Sequence, residues 1–369
     1  MKRFITFGSI GQFRNIVKDI SFSAQYIGMD EENNEAMFDK SIPFPVINAI
    51  GTEKIHGTNA GVCFSNSDGF WVQSRKNIID APNNPNFTEA PDNADCAFFA
   101  YEKYEAWMQI IKALALHYNI DLDREIISVY FEWSGGNIQK KSALSGLDKR
   151  AIIFQHFKVS PLEPQLNNAG EEVSARWLET KTTHYLDDVE SNIFNIMNFP
   201  KVELEIDFNH PSIAQNKMIE LVKELEKNSL VGQAFGIKQN IGEGYVFTLE
   251  FKGKIHRFKV KGEAHAKGSG KVKTLKPVDE ELENKKIEFV NNIACKEFRL
   301  DQIYNEVFDV LNGGEGDIKR TGDYLKAVVT DVMKEEADIM EEQELTPKMV
   351  NGMISKVARG YMLSRVNRV

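Results

Sequence analysis

The chain has 369 residues, 42% of them hydrophobic and 27% charged, which excludes disordered, collagenous and fibrous classes. Its 45 basic and 54 acidic side chains leave a formal charge of −9, an unfavourable balance for a nucleic-acid binder unless the basic residues cluster. No apolar run reaches the roughly 18–20 residues that cross a bilayer, so a cytoplasmic, untargeted protein is expected, and the length suggests two domains.

In chain order, short apolar runs bounded by turn residues predict strands over 47–50, 60–64, 69–74, 126–131 and 151–154. Helical spacing of Trp107, Ile110, Ile111 and Leu114 predicts a helix over 101–118, and Ile213, Met218, Leu221 and Leu225 predict another over 211–226. The glycine-rich stretch over 262–271, followed by Pro277, reads as a hinge. Beyond it the pattern is helical throughout, over 280–292, 300–312, 322–340 and 346–365, the last opening with Pro347. The expected class is therefore α+β, with an N-terminal domain over 1–265 built on antiparallel sheets, a linker over 266–277 and an all-helical domain over 278–369. Cys63, Cys96 and Cys295 lie far apart with no paired spacing, which predicts buried free thiols rather than disulfides or zinc.

The chemistry-bearing signal is Glu53-Lys54-Ile55-His56-Gly57-Thr58-Asn59. A lysine leaving a strand, with a glycine three positions on to permit a tight turn, can be held at a pocket mouth for covalent catalysis. Taken alone it also fits a solvated hairpin. Glu132 and Glu243 are single carboxylates in apolar stretches, where burial is costly without a partner, although a strand end at the surface would suit either. Lys259 and Lys261 stand two apart, so both amines share one strand face and could clamp a phosphate or simply face solvent. Basic residues do cluster over 252–276, opposed only by Glu263, so a local cationic surface survives in the acidic chain.

The order Lys54, Arg75, Glu132, Phe157, Glu243, Lys259, Lys261 resembles the covalent nucleotidyltransferase superfamily of ATP-dependent ligases and mRNA capping enzymes. His56 stands where that superfamily usually has aspartate, and Glu-Lys-Ile-His-Gly-Thr-Asn is similar to the RNA ligase 2 family of phage enzymes and their RNA-editing relatives. Ser74-Arg75-Lys76, Phe131-Glu132-Trp133, Phe154-Gln155-His156-Phe157, Glu243-Gly244-Tyr245-Val246 and Lys259-Val260-Lys261 look like its further motifs. The resemblance runs from about Val46 to the end. Residues 1–45, 77–95 and 160–211 match poorly.

That resemblance implies an enzyme of RNA repair, of phage origin, that joins 5′-phosphate and 3′-hydroxyl RNA ends through lysyl-AMP and adenylylated RNA, using ATP and Mg²⁺. Lys54 would attack the α-phosphate, with Lys259, Lys261 and Mg²⁺ favouring the neutral amine and stabilising the transition state. Glu243 would bind the metal, Glu132 a ribose hydroxyl, and Glu53 the adenine edge, with His56 beside the nucleotide. Phe157 would stack on adenine, although Phe154 could exchange roles with it. Arg75, and less strongly Asn59, would hold the RNA 5′-phosphate. The helical tail would bind RNA, with no obligate protein partner and no membrane.

Rival readings are an ATP-dependent DNA ligase, which the helical tail argues against, and an inactive RNA-binding adaptor of the same fold, which the intact lysines and glutamates argue against. A capping enzyme would share the first objection and require GTP. Gly268-Ser269-Gly270-Lys271 is no P-loop, since residue 265 is His and Val272 replaces Ser or Thr. Gly313-Gly314-Glu315-Gly316 lacks the preceding strand of a dinucleotide fingerprint. The histidines share no ligand spacing.

Overall fold

A computed structural model describes residues 2–30, 35–139, 142–168, 172, 174–180, 190–238, 241–262 and 277–366. The chain divides into two compact units, Met1–Pro277 and Val278–Val369. The expected linker over 266–277, apart from Pro277, lies outside the described residues together with all its lysines, Lys267, Lys271, Lys273 and Lys276.

The first unit opens with helix α1 (Phe13–Gln25) and the hairpin β1 (Tyr26–Met29) and β2 (Ala36–Phe38). Sequence reading left this region blank, although Phe13, Ile16, Ile20 and Ala24 fall on one helical face and are buried. A four-stranded antiparallel sheet follows, in the order β12 (Lys201–Asp207), β3 (Val46–Glu53), β13 (Gly244–Phe251), β14 (Lys254–Lys261). Helix α1 and helix α4 (Pro211–Leu225) cover it, and Phe13, Ile20, Met218, Phe247 and Phe258 form their shared core.

The second sheet has the path β10 (Arg176–Glu179), β9 (His156–Pro161), β7 (Glu125–Ser134), β4 (Thr58–Ser65), β5 (Gly69–Ser74), β6 (Ile78–Ile79). Strand β8 (Arg150–Ile153) also pairs with β7, and β11 (Ile193–Asn195) joins β8 in parallel. Helices α2 (Cys96–Glu102) and α3 (Tyr104–His117) cover one face, with Trp107 against Phe131 at 5.0 Å between ring centroids. Covered on both faces, β7 is buried along nearly its whole length and reads as a continuous apolar run instead of an alternating one.

The chain passes from β3 in the smaller sheet to β4 in the larger through residues 54–57 alone. Gly57 is required in that crossover because a Cβ there would lie 2.3 Å from the Trp133 carbonyl oxygen. The segment over residues 3–11 also spans the two sheets. The side-chain amide of Gln73 on β5 exchanges two hydrogen bonds with the backbone of Ile5, the Tyr130 hydroxyl donates to the Ile5 carbonyl at 2.7 Å, and the Lys259 amide donates to the Gly11 carbonyl at 3.1 Å.

After β12 and α4, helix α5 (Leu230–Ala234) completes the described helices of this unit. The three cysteines are free and buried, as the spacing predicts.

The second unit is helical: α6 (Glu280–Phe289), α7 (Glu297–Val307), α8 (Thr321–Glu335), α9 (Ala337–Glu342) and α10 (Pro347–Val366). Tyr324, Val328 and Val332 on α8 meet a core that includes Val350, Ile354, Ala358 and Met362 on α10, rows of i, i+4 residues that face one another. The helix expected over 280–292 gives way at Val290 to a five-residue π turn, and the one expected over 322–340 is broken at Glu336. Among the described residues no helix is long and apolar enough to cross a membrane.

Candidate active site

A cavity of about 330 Å³ lies where the crossover meets both sheets. Its wall takes Lys54, His56, Thr58 and Asn59 from the crossover and β4, Glu132 from β7, Arg75 beyond β5, and Glu243, Val246, Thr248, Arg257 and Lys259 from β13, β14 and the residue before them. Strand pairing explains the convergence. Asn59 sits opposite Glu132, Gly244 opposite Lys261, Val246 opposite Lys259 and Thr248 opposite Arg257.

Glu243 is the electrostatic centre. Its side chain is 2% exposed, and Lys54 Nζ donates to its Oε2 at 2.7 Å while Lys261 Nζ lies 2.5 Å from Oε1. His56 Nδ1 is 3.1 Å from the same Oε2. Burial alone would raise the pKa of this carboxyl, but His56, Lys54 and Lys261 outweigh it and hold the group well below the usual carboxylate range. The backbone is fitted to this contact. Lys54 N–H donates to the Gly244 carbonyl at 2.7 Å, and Gly244 has φ +149°, where a Cβ would sit 2.1 Å from the Val260 carbonyl oxygen.

Lys261 joins the cluster through Glu243 without bordering the cavity, whereas Lys259 borders it. Burial, then the charges of Lys261, Lys54 and Arg75, lower the Lys259 pKa, so this part of the cavity is strongly cationic. Glu132 is pushed up to about 7, first by burial and also by the charge of Glu243, with Lys54, the Gly57 amide and His56 opposing. Arg75 is exposed at the rim.

Two sequence expectations are corrected. Phe157 is fully buried in the core beneath the larger sheet, 5.5 Å from Tyr118, and does not border the cavity. Strand β8 ends at Ile153 and β9 starts at His156, so the break turns Phe154 to the cavity and Phe157 inward. Glu53 borders the cavity, but its carboxylate accepts from Ser229 Oγ at 2.6 Å and from the Val231 amide at 2.9 Å. Ser229 is the N-cap of α5, so both Glu53 oxygens serve a helix start and are not directed at a ligand.

Glu243, the expected metal ligand, has oxygens that face two ammonium groups and an imidazole, so a divalent cation there would compete with three groups already in place. Sequence reading also missed Phe7, Gly8 and Ile10, which line the cavity from the N-terminal segment. Phe7 packs against Tyr130, Phe154 and Trp177 with centroid separations of 5.0, 5.1 and 5.6 Å. No motif marks them, and the one available signal was the amphipathic helix just downstream.

Two largely antiparallel sheets joined by a lysine-bearing crossover, with helices outside both, give the first unit its α+β architecture. The chain belongs to the RNA ligase family, whose model matches residues 48–261, more than half of its length. It is similar to the solved Naegleria gruberi RNA ligase with PPi at 16% identity, over 72% of this chain and 58% of that one, with a TM-score of 0.39. Mutants of that ligase with AMP and Mn and with ATP and Mn match at 16% and 14% identity, each over 73% of this chain and 59% of theirs, with TM-scores of 0.37 and 0.38. The chain therefore spans less than two thirds of the length of these relatives. A comparison with curated proteins finds no match.

Proposed function

We propose that the protein is an ATP-dependent RNA ligase that forms a covalent Lys54–AMP intermediate, passes AMP to an RNA 5′-phosphate, and seals the activated end to a 3′-hydroxyl. The observation that carries this reading is the Lys54–Glu243–Lys261 cluster at a cationic cavity, inside the segment that matches the family.

Lys54 is held in place by Glu243 and acts as the nucleophile once its ammonium has released a proton to solvent. Lys259 then faces the negative charge that grows on the α-phosphate, where a fixed cation is worth more than in water. Glu132, once ionised, accepts from ribose hydroxyls, and Phe154 takes the stacking role beside adenine. Arg75, exposed at the rim, and Asn59 beside it receive the RNA 5′-phosphate. A divalent cation enters with the nucleotide phosphates, outside any cage of side chains. The helical unit carries Lys319, Arg320, Lys326, Lys348, Lys356, Arg359 and Arg365, cations suited to positioning a phosphate backbone.

The test is incubation with α-labelled ATP, followed by a chase with RNA or DNA bearing a 5′-phosphate and a 3′-hydroxyl. The reading expects label on Lys54 and discharge by RNA ends. Discharge by DNA ends alone would instead favour a DNA ligase, and absence of label would favour an inactive RNA-binding adaptor.

A further inference from the structure

Arg257 has no role in the account above, although it borders the same cavity. Its guanidinium lies 4.0 Å from the ring centroid of Trp177 and 4.9 Å from that of Phe7, in the corner formed by these two perpendicular rings. Among the described residues no carboxylate faces it and no side-chain hydrogen bond holds it. The residue is half-buried, and burial draws its pKa down to about 10 with no counterion to offset the cost. Aromatic faces offset part of that cost but leave the guanidinium edge, which carries the N–H donors, unfilled.

Position gives this edge a purpose. Arg257, Lys259 and Lys261 share one face of β14, with successive same-face residues about 6.6 Å apart. Lys261 is bound to Glu243 and Lys259 stands beside the Lys54 end, so Arg257 is the next cation along the strand, away from the nucleophile. It is covered by Phe7 and Trp177, whereas Arg75 is exposed. A polynucleotide approaches an exposed cation, and a small anion can occupy a covered one.

We propose that Arg257 binds the pyrophosphate portion of ATP and stabilises it as the leaving group of lysine adenylylation. This inference rests on the ligase reading above. In the step concerned, the Lys54 ammonium first releases a proton to solvent. The amine nitrogen then forms a bond to the α-phosphorus and gives its second proton to solvent, the bond from that phosphorus to the bridging oxygen breaks, and pyrophosphate leaves with the electron pair. Arg257 gathers the charge that this oxygen and its phosphates acquire.

The experiment compares the full-length protein with Arg257→Met, which retains an unbranched stem against the rings, and with Arg257→Lys, which retains the charge. Expected for Arg257→Met are a KM for ATP raised about tenfold or more and a comparable loss of pyrophosphate-driven release of AMP from the adenylylated enzyme, with partial rescue in Arg257→Lys. Sealing of RNA supplied already adenylylated, which involves no pyrophosphate, stays near the wild-type rate and also reports that the variant is folded. Unchanged ATP and pyrophosphate responses would overturn the proposal and leave Arg257 a structural clip. So would an equal loss in sealing of adenylylated RNA, which would place an RNA phosphate there, or an altered preference for ATP over GTP, which would place the base there. Failure of the wild-type protein to take label would instead contradict the ligase reading itself.

Discussion

Lys54 Nζ lies 2.7 Å from Glu243 Oε2 although 189 positions separate the two residues in the chain. The contact exists because β3 and β13 are neighbours in the smaller sheet, with Glu53 paired to Tyr245. Its consequence is that the expected nucleophile is stored as half of an ion pair, oriented but engaged, until a phosphate joins the cluster.

Replacing Glu243 should therefore harm more than one property. In Glu243→Ala the ammonium groups of Lys54 and Lys261 lose their shared counterion, which should cost about 1–3 kcal/mol of stability and lower adenylylation by roughly 10²–10³-fold. Thermal melting and α-labelled ATP incorporation check the two effects. A variant that melts normally and still takes label would remove Glu243 from the positioning of Lys54.

Gly57→Ala places a Cβ against the Trp133 carbonyl at 2.3 Å, a backbone contact that no side-chain rotation relieves. The crossover should shift, with a loss of roughly 1–3 kcal/mol and a deeper fall in activity than in stability. Denaturant unfolding alongside labelling measures both. Equal stability and activity to wild type would show that the crossover tolerates repacking.

Glu132 supplies a pH dependence whose sign is defined. Burial raises its pKa from 4.5 to about 7, so between these values the folded state binds the proton that the unfolded state has released. Its contribution to stability is full below about pH 4.5 and is lost as pH rises through 7, while the ionised form needed to accept from ribose grows over the upper part of that range. Adenylylation should rise with pH through about 7, and Glu132→Gln should flatten the rise. A profile unchanged in the variant would assign the titration to another group.

The helical unit has its own core, built on Phe289, Tyr324, Val328, Ile354 and Met362, and residues matched by the family end at Lys261. A chain ending at Gly268 should thus still take label from ATP but lose most sealing of RNA ends, and its RNA affinity should lose salt dependence. Gel assays of label and sealing, read together, test this division. Sealing at the full-length rate would give the helical unit some other task.

Much of the site was legible because its residues lie on strands of fixed period or directly at their ends. Lys54, Glu243, Lys259 and Lys261 came from local motifs, and antiparallel pairing of β13 with β14 brings their ends together. Phe157 was misread because the relevant fact is the break between β8 and β9, and apolar residues run through that break without a turn signal. Glu53 was placed by adjacency to Lys54. Glu53 does border the cavity, but its carboxylate is taken up by Ser229 and the Val231 amide at the start of α5, 176 and 178 positions away in the chain. The cations around Glu243 were not legible locally, because Lys54 and His56 come from a crossover nearly 190 positions away and only the fold brings them to it. Phe7 was invisible because its neighbours, Tyr130, Phe154 and Trp177, are contributed by distant strands.

The central claim is that Lys54 carries AMP. Wild-type protein, Lys54→Ala and Lys54→Arg, each confirmed folded by circular dichroism, should be incubated with α-labelled ATP and examined for an acid-labile adduct. The account predicts label on wild type alone, because arginine keeps the cation beside Glu243 yet stays protonated and cannot attack phosphorus. A normal acid-labile adduct on either variant would contradict it.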